Sequence, residues 1–405
     1  MSGVQGPTLG LYVSIPFCRS KCTYCNFASG VYPVRDHARY IRRVVAELAQ
    51  AKAWAEELKV ELPRQVDTIY LGGGTPSLLA PELVAELFQG IRGEFDVDQD
   101  AEITVECAPA QIEEATLEAL VAAGMNRASF GVQSFIDREA QWSGRKHTRA
   151  DVERDIARLR AAGVGNLNVD LIAGLPGQTA ESWQESLEAL VASGVPHASL
   201  YMLEVDEDSR LGRELLDGGN RYHAGKVPED EQIADLYEEG VVRLGAAGIG
   251  QYEISNLGRT GFEARHNLRY WERKPYLGVG LDASSMLRAL PAEDDADELP
   301  YVLRSKTCDD LKTYIDGKQP AETAWLSPDR QHEEAWFLGL RLNRGVRFAA
   351  LEQEFGVGRV APARKAAARL AEDGLLEGDA ELVRLSPRGR LLSNEVFAEF
   401  LELEG

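Results

Sequence analysis

Cys18, Cys22 and Cys25 form a C-x3-C-x2-C pattern inside LGLYVSIPFCRSKCTYCNFAS, directly after a short apolar run. Cysteine thiolates are the usual ligands of iron–sulfur clusters. Three on one compact loop can hold three irons of a 4Fe-4S cubane. An electron-transfer cluster ordinarily takes four cysteines, so three with no fourth nearby leave one iron open to an exogenous ligand. A disulfide within the loop would strand an odd thiol, and nothing points to an oxidising compartment. Zinc is the stronger rival, because C-x2-C hooks recur in zinc sites. A closed zinc site needs a second ligand pair, and no Cys or His hook follows.

Such a loop must be held by a scaffold. From Tyr12 to about Val205, strand-like and helix-like segments alternate, which argues for parallel β/α units. The pattern predicts strands over 11–15, 68–71, 102–106, 127–131, 166–172 and 198–203. Amphipathic helices are predicted over 36–58, 81–92, 112–123, 151–162 and 180–193. Ala-Ala-Gly closes two of these helices at Gly124 and Gly163, where glycine suits the left-handed cap. The reading is a partial (β/α)6 barrel. In such folds the chemistry sits beyond the carboxyl ends of the strands. The cysteine loop, the glycine run 72–74, Glu106, Gln133 and Asp170 all fall there, and would converge on one mouth.

A helix over 228–247 and a short strand over 250–254 are predicted next. The acidic stretch PAEDDADELP, 291–300, reads as an exposed linker. This places the barrel and its extension in 1–290 and a second domain in 301–405. There, helices over 328–342, 348–355 and 362–373, a hairpin over 377–385 and a last helix over 387–403 make a winged-helix-like pattern.

Lys and Arg total 44 against 65 Asp and Glu, a formal net charge of −21. That balance opposes phosphate-backbone binding and an anionic membrane surface. A DNA-binding role for the winged-helix pattern, with Arg341, Arg344, Arg347 and Arg359, is therefore disfavoured; a packing or partner domain fits better. No apolar run is long enough for a transmembrane segment. The N-terminus lacks a signal-peptide pattern, and five cysteines with three clustered suit reducing cytoplasm. Cys107 and Cys308 stand alone and read as small buried hydrophobes.

With the cysteine loop followed by GGGTP at 72–76, the chain resembles radical S-adenosylmethionine enzymes. LYVSIPFCRSKCTYCNF, LGGGTPSLL, NRASFGVQSF, GRKHT, NVDLIAGLPGQT, YEISN and HNLRYW resemble the coproporphyrinogen dehydrogenase-like branch, closest to its heme chaperones of the HemW type. The resemblance runs from Leu9 to about Phe400. It implies a 4Fe-4S cluster on the three cysteines, with S-adenosylmethionine on the open iron. It further implies heme as cargo, a heme-acceptor protein of the respiratory chain and an electron donor for the cluster. Two features separate this chain from the oxidative porphyrin enzyme of the branch. That enzyme has a further cysteine two positions after the third, where this chain has Phe27, and it has a longer N-terminal extension. The enzyme alternatives are coproporphyrinogen III oxidation, which Phe27 opposes, and methyl or cyclopropane transfer to a small molecule.

Carried over by motif, Tyr12, Gly73, Gly74, Thr75, Glu106, Gln133, Arg145 and Asp170 would contact S-adenosylmethionine. The types suit it: carboxylates accept from hydroxyl or ammonium groups, Arg pairs with a carboxylate, and Gln does both. Taken singly, Glu106 and Asp170 would more often cap a helix, Arg145 would be a solvated turn residue, and Gln133 would close a loop. His266, with Tyr270 and Trp271 in HNLRYW, is a candidate heme contact, although a lone His is more often a hydrogen-bonded loop residue. Two histidines usual in the family are replaced. Ser14 stands in SIPFC, and Leu-Asp-Ala-Ser-Ser ending near Ser284 replaces a run containing the other.

Overall fold

The computed structural model describes residues 6–291, 299–317 and 321–401. Six β/α units open the chain. They are β1 (Leu9–Ile15), α1 (Val34–Glu57), β2 (Gln65–Gly73), α2 (Pro81–Glu94), β3 (Asp96–Cys107), α3 (Glu114–Ala122), β4 (Arg127–Gln133), α4 (Asp137–Trp142), α5 (Arg149–Ala161), β5 (Asn166–Ala173), α6 (Ala180–Ser193) and β6 (His197–Met202). β1 to β6 are parallel and neighbour one another in chain order. β1 and β6 each pair with outer strands rather than with each other, so the sheet stays open as a partial barrel.

The reasons are local. In β1, Leu9, Leu11, Val13 and Ile15 alternate along the strand and are fully buried on one face, with Gly10, Tyr12 and Ser14 on the other. In α1 the buried Ile41, Val44, Leu48, Ala51 and Ala55 recur at helical spacing. Gly124 and Gly163 take positive φ, +100° and +90°, just past α3 and α5.

After β6 come α7 (Arg210–Leu216), α8 (Asp230–Ala246), β7 (Gly250–Gln251), β8 (Asn256–Gly258), α9 (Arg265–Trp271), β9 (Tyr276–Val279), β10 (Ser284–Arg288), β11 (Val302–Lys306), α10 (Leu311–Asp316) and β12 (Glu322–Leu326). The single strand predicted over 250–254 is instead the antiparallel pair β7–β8. β9 extends the sheet beside β1, and β10, β11 and β12 follow antiparallel. Most of the acidic stretch, 292–298, lies outside the described residues. β10 and β11 are hydrogen-bonded neighbours, so the main sheet continues past the predicted domain start at 301 through β11 and β12.

The second hydrophobic core begins in α11 (Pro328–Leu340) and includes β13 (Val346–Arg347), α12 (Phe348–Phe355), α13 (Val357–Glu372), β14 (Leu376–Gly378) and β15 (Leu382–Leu385). Three helices with the sheet β13-β15-β14 give the winged-helix arrangement. α13 starts at Val357, so Pro362 lies inside it. The long last helix predicted is two short ones, α14 (Pro387–Leu391) and α15 (Ser393–Ala398), broken at Leu392. The break lets Val396 and Phe400 turn into the core, where Phe400 stacks on Trp336 at 4.7 Å.

Polar contacts fix this domain against the barrel. Asn343 donates its backbone N–H to the Tyr252 carbonyl at 2.9 Å, and Ile254 donates to the Arg341 carbonyl at 3.1 Å. Arg273 makes a two-point pair with Glu354, 2.9 and 2.6 Å. The YEISN motif is thus a docking strip. Of the arginines noted in the sequence, Arg344 pairs with Glu272, Arg359 with Asp329 and Arg341 with Glu253. These pairs are internal to the chain.

Candidate cofactor site

The cysteine loop hangs from the end of β1. Cys18 donates its N–H to the Gly30 carbonyl at 2.9 Å, and Lys21 Nζ donates to the carbonyls of Phe27 and Ser29 at 3.0 and 3.1 Å, closing the loop on itself. Gly74 and Thr75 donate to the carbonyls of Ile15 and Phe17 at 2.9 and 2.8 Å, which fastens the glycine run to the stem of the loop. Only glycine fits at 74, since a Cβ there would stand 2.8 Å from the Ile15 carbonyl oxygen and 2.9 Å from that of Phe17.

Beyond the strand ends lies a cavity of about 790 Å³. Cys18, Cys22 and Cys25 line it, together with Gly73, Gly74, Thr75, Glu106, Gln133, Arg145 and Asp170. The strand-end rule therefore gathers every candidate of the cofactor set but one. Tyr12 does not line the cavity. It stacks on Tyr70 at 6.1 Å, one layer below, and its hydroxyl would stand 3.5 Å from a Cβ at Gly73. Burial and the nearby Glu106 charge hold its hydroxyl well above the usual range.

Each side chain has a physical setting. Glu106 accepts from Tyr70 Oη at 2.9 Å and from the Gly73 N–H at 3.1 Å; burial pushes its carboxyl up to about 7. Asp170 accepts from Asn168 Nδ2 at 2.7 Å, and burial raises it as well. Arg145 reaches over β4, where Gly131 leaves room: a Cβ there would meet its guanidinium at 2.6 Å. It donates to Tyr24 Oη at 3.3 Å. Gln133 sits at φ +71°, a left-handed turn unusual outside glycine, stored at a strand end that faces the cavity. Thr75 Oγ1 donates to Cys18 Sγ at 3.9 Å.

The residues fit the implied groups. Three soft sulfurs share one rim, while among the described residues no three His, Cys, Asp or Glu converge on a single-ion position. A cubane needs no such convergence, because each cysteine takes its own iron. Gln133 Oε1 and Arg145 Nε are buried without partners at the cavity, a polar lining left for a polar ligand. Cys107 is buried and reaches the same cavity; its thiol lies 3.5 Å from the Val105 carbonyl oxygen, and burial pushes it up to about 12. Phe27 stands exposed on the rim. Cys308, read as a buried hydrophobe, is only half-buried.

HNLRYW lies elsewhere. α9 plugs the opposite, amino-terminal end of the strands. His266 is 1% exposed, with Nδ1 2.9 Å from Thr68 Oγ1 and Nε2 2.8 Å from Tyr270 Oη. Neither ring nitrogen has a free lone pair or an open approach for a heme iron, and Trp271 is covered by the Arg341 guanidinium at 4.2 Å. None of His266, Tyr270 and Trp271 lines the cysteine cavity, although Trp271 touches Arg341, which does. Of the two positions that lack the family's histidine, Ser14 is buried in β1 and Ser284 is exposed at the start of β10. Ser14 packs against Gly280, whose Cβ would fall 2.5 Å from the Ser14 carbonyl oxygen.

Sequence reasoning missed Tyr24, Tyr70, Ser129 and the far wall. Tyr24 stands inside the cysteine motif, and Tyr70 two residues before the glycine run, positions that could have flagged them. The far wall, with Arg341, Arg390, Leu391, Ser393 and Asn394 from the C-terminal domain, left no local signal.

The radical SAM superfamily model matches residues 12–190, and the HemN C-terminal domain model matches residues 326–392. The heme chaperone HemW of Bacillus subtilis is 33% identical over 398 residues, covering 96% of this chain and 98% of that protein. The heme chaperone HemW of Lactococcus lactis is 31% identical over 394 residues, 96% of each. The solved structure of coproporphyrinogen III oxidase (HemN) from Escherichia coli has a TM-score of 0.80 at 24% identity, covering 97% of this chain and 90% of that one; it shows the shared fold. On this extent of similarity, the chain belongs to the heme chaperone HemW family of the radical S-adenosylmethionine superfamily.

Proposed function

We propose that this chain is a heme chaperone: it binds a 4Fe-4S cluster and S-adenosylmethionine in the strand-end cavity, takes up heme and passes it to an acceptor protein. The observation that carries the reading is the joint lining of one cavity by three cysteines, a glycine edge and two raised carboxyls. When bound, the cluster supplies single electrons to S-adenosylmethionine. The chain's own residues hold that ligand. Gly73 and Gly74 admit it to the strand edge, Thr75 steadies the Cys18 sulfur, and Arg145 is placed to meet a carboxylate. Glu106 and Asp170 accept from ammonium or ribose hydroxyls, and Gln133 turns its amide to the same space. Tyr12 serves from the layer below, through Tyr70 and Gly73.

Membership among heme chaperones supports heme as cargo; a respiratory-chain acceptor, an electron donor for the cluster and a cytoplasmic setting complete the proposal. Among the described residues no helix is long and apolar enough to cross a membrane. The exposed Phe27 supports transfer over porphyrinogen oxidation. The test is anaerobic reconstitution of the cluster, followed by heme binding, heme transfer to a heme-free respiratory cytochrome, and coproporphyrinogen III turnover on the same sample. The expected result is stoichiometric heme binding and transfer without turnover. Porphyrinogen oxidation at catalytic rates would overturn the proposal.

A further inference from the structure

The C-terminal domain does more than pack on the barrel: it brings two arginines to the cavity wall, Arg341 and Arg390. Free cations are not expected here, because acids outnumber bases 65 to 44. Yet Arg390 makes no ion pair among the described residues, and its hydrogen bond, from Nη1 to the Leu385 carbonyl at 3.2 Å, leaves the rest of the guanidinium unengaged. Arg341 is held in place by the Trp271 ring at 4.2 Å. Its contact with buried Glu253 is a loose 3.6 Å, and its Nε is buried without a partner. Apolar side chains flank the pair. Ile254 donates its N–H to the Arg341 carbonyl, Leu391 follows Arg390, and Met202 and Leu203 enter from the end of β6; all four line the same cavity. Apolar surface ending in pre-placed guanidinium groups suits an amphiphile with carboxylate arms.

We infer that Arg341 and Arg390 form a carboxylate subsite, which anchors the acidic side arms of a flat apolar ligand while its body rests on Met202, Leu203, Ile254 and Leu391. The inference rests on the heme-chaperone reading for the identity of that ligand, its carboxylates being the propionates. It also gives the C-terminal domain a part in ligand binding.

The test uses the full chain with its cluster reconstituted, and three probes: hemin, hemin dimethyl ester and iron-free coproporphyrin III. Wild type should bind hemin at least about tenfold more tightly than the ester, the range of a charge-assisted hydrogen bond. Arg390→Gln should bring hemin down to the affinity of the ester and leave the ester unchanged, and Arg390→Lys should restore part of the difference. Measurable binding of hemin and ester with equal affinity by wild type overturns the inference. So does an Arg390→Gln protein that keeps the wild-type preference, or one that weakens both probes equally. Coproporphyrin III held in an Arg390-dependent way by a protein that ignores hemin and its ester would support the subsite and refute heme as cargo. Loss of the carboxylate preference in Arg390→Gln with heme transfer intact would separate the subsite from the chaperone activity in the other direction, and supports it.

Discussion

Tyr70 donates its hydroxyl proton to Glu106 Oε1 at 2.9 Å, while Oε2 of the same carboxylate takes the Gly73 N–H at 3.1 Å. One acid therefore ties the glycine edge of the cavity to the aromatic layer beneath. Burial dominates its titration and lifts it from 4.5 to about 7, the two hydrogen bonds pulling the other way.

A stability effect follows from that shift. The folded state holds the proton more tightly than the unfolded chain, so this group's stabilisation is full at low pH and is lost as pH rises from 4.5 through about 7. Glu106→Gln, which cannot ionise, should be more stable than wild type at pH 8 by roughly 1–3 kcal/mol, and the gap should close near pH 5. Urea denaturation of the ligand-free protein at the two pH values checks this. S-adenosylmethionine affinity of the same variant should fall by about tenfold, the loss of a charge-assisted acceptor. A stability gap of the same size at both pH values contradicts the assignment.

His266 makes contacts of a structural kind. Both ring nitrogens are hydrogen-bonded, and burial with the nearby Arg269 charge lowers it to about 3, so it stays neutral. His266→Ala should cost about 2–4 kcal/mol, from an emptied space and an unpaired Thr68. Heme affinity and cluster content should stay at wild-type values in protein that remains folded. Loss of heme binding without loss of stability is the contrary result.

Two glycines make a matched pair. Gly74→Ala forces a Cβ against backbone oxygens at 2.8 and 2.9 Å and should destabilise by about 1–3 kcal/mol, with S-adenosylmethionine binding lost. Gly93, in α2, has nothing within 4 Å of its would-be Cβ, and Gly93→Ala should stabilise by up to about 1 kcal/mol. Thermal melts of both variants measure the contrast. Equal shifts would place the crowding at Gly74 in doubt.

The barrel and the near wall of the cavity were legible in the sequence because their signals are local. Alternation marks β1 to β6, and chemistry follows each strand end, so Glu106, Gln133 and Asp170 could be placed by position alone. Arg145 needed more, since it reaches the site only because Gly131 leaves room. HNLRYW stood out for its polar–aromatic density, and in the fold His266 and Arg269 hydrogen-bond to Thr68, Tyr270, Thr8 and Asp67, partners that the sequence does not reveal. The start of the second domain was set by the composition of the acidic stretch, whereas the pairing that keeps β11 and β12 in the main sheet is non-local. Arg341 and Arg390 come to the cavity through domain docking at Tyr252 to Ile254, which no spacing within the C-terminal segment encodes.

The central claim is that three cysteines hold a cluster with one iron open to S-adenosylmethionine. The most direct measurement is the electron paramagnetic resonance spectrum of the reconstituted, reduced protein, recorded before and after S-adenosylmethionine is added. The account predicts a reduced 4Fe-4S signal whose g-values shift on addition, because the added ligand binds the cluster itself. A 4Fe-4S signal that does not change at saturating S-adenosylmethionine would contradict it.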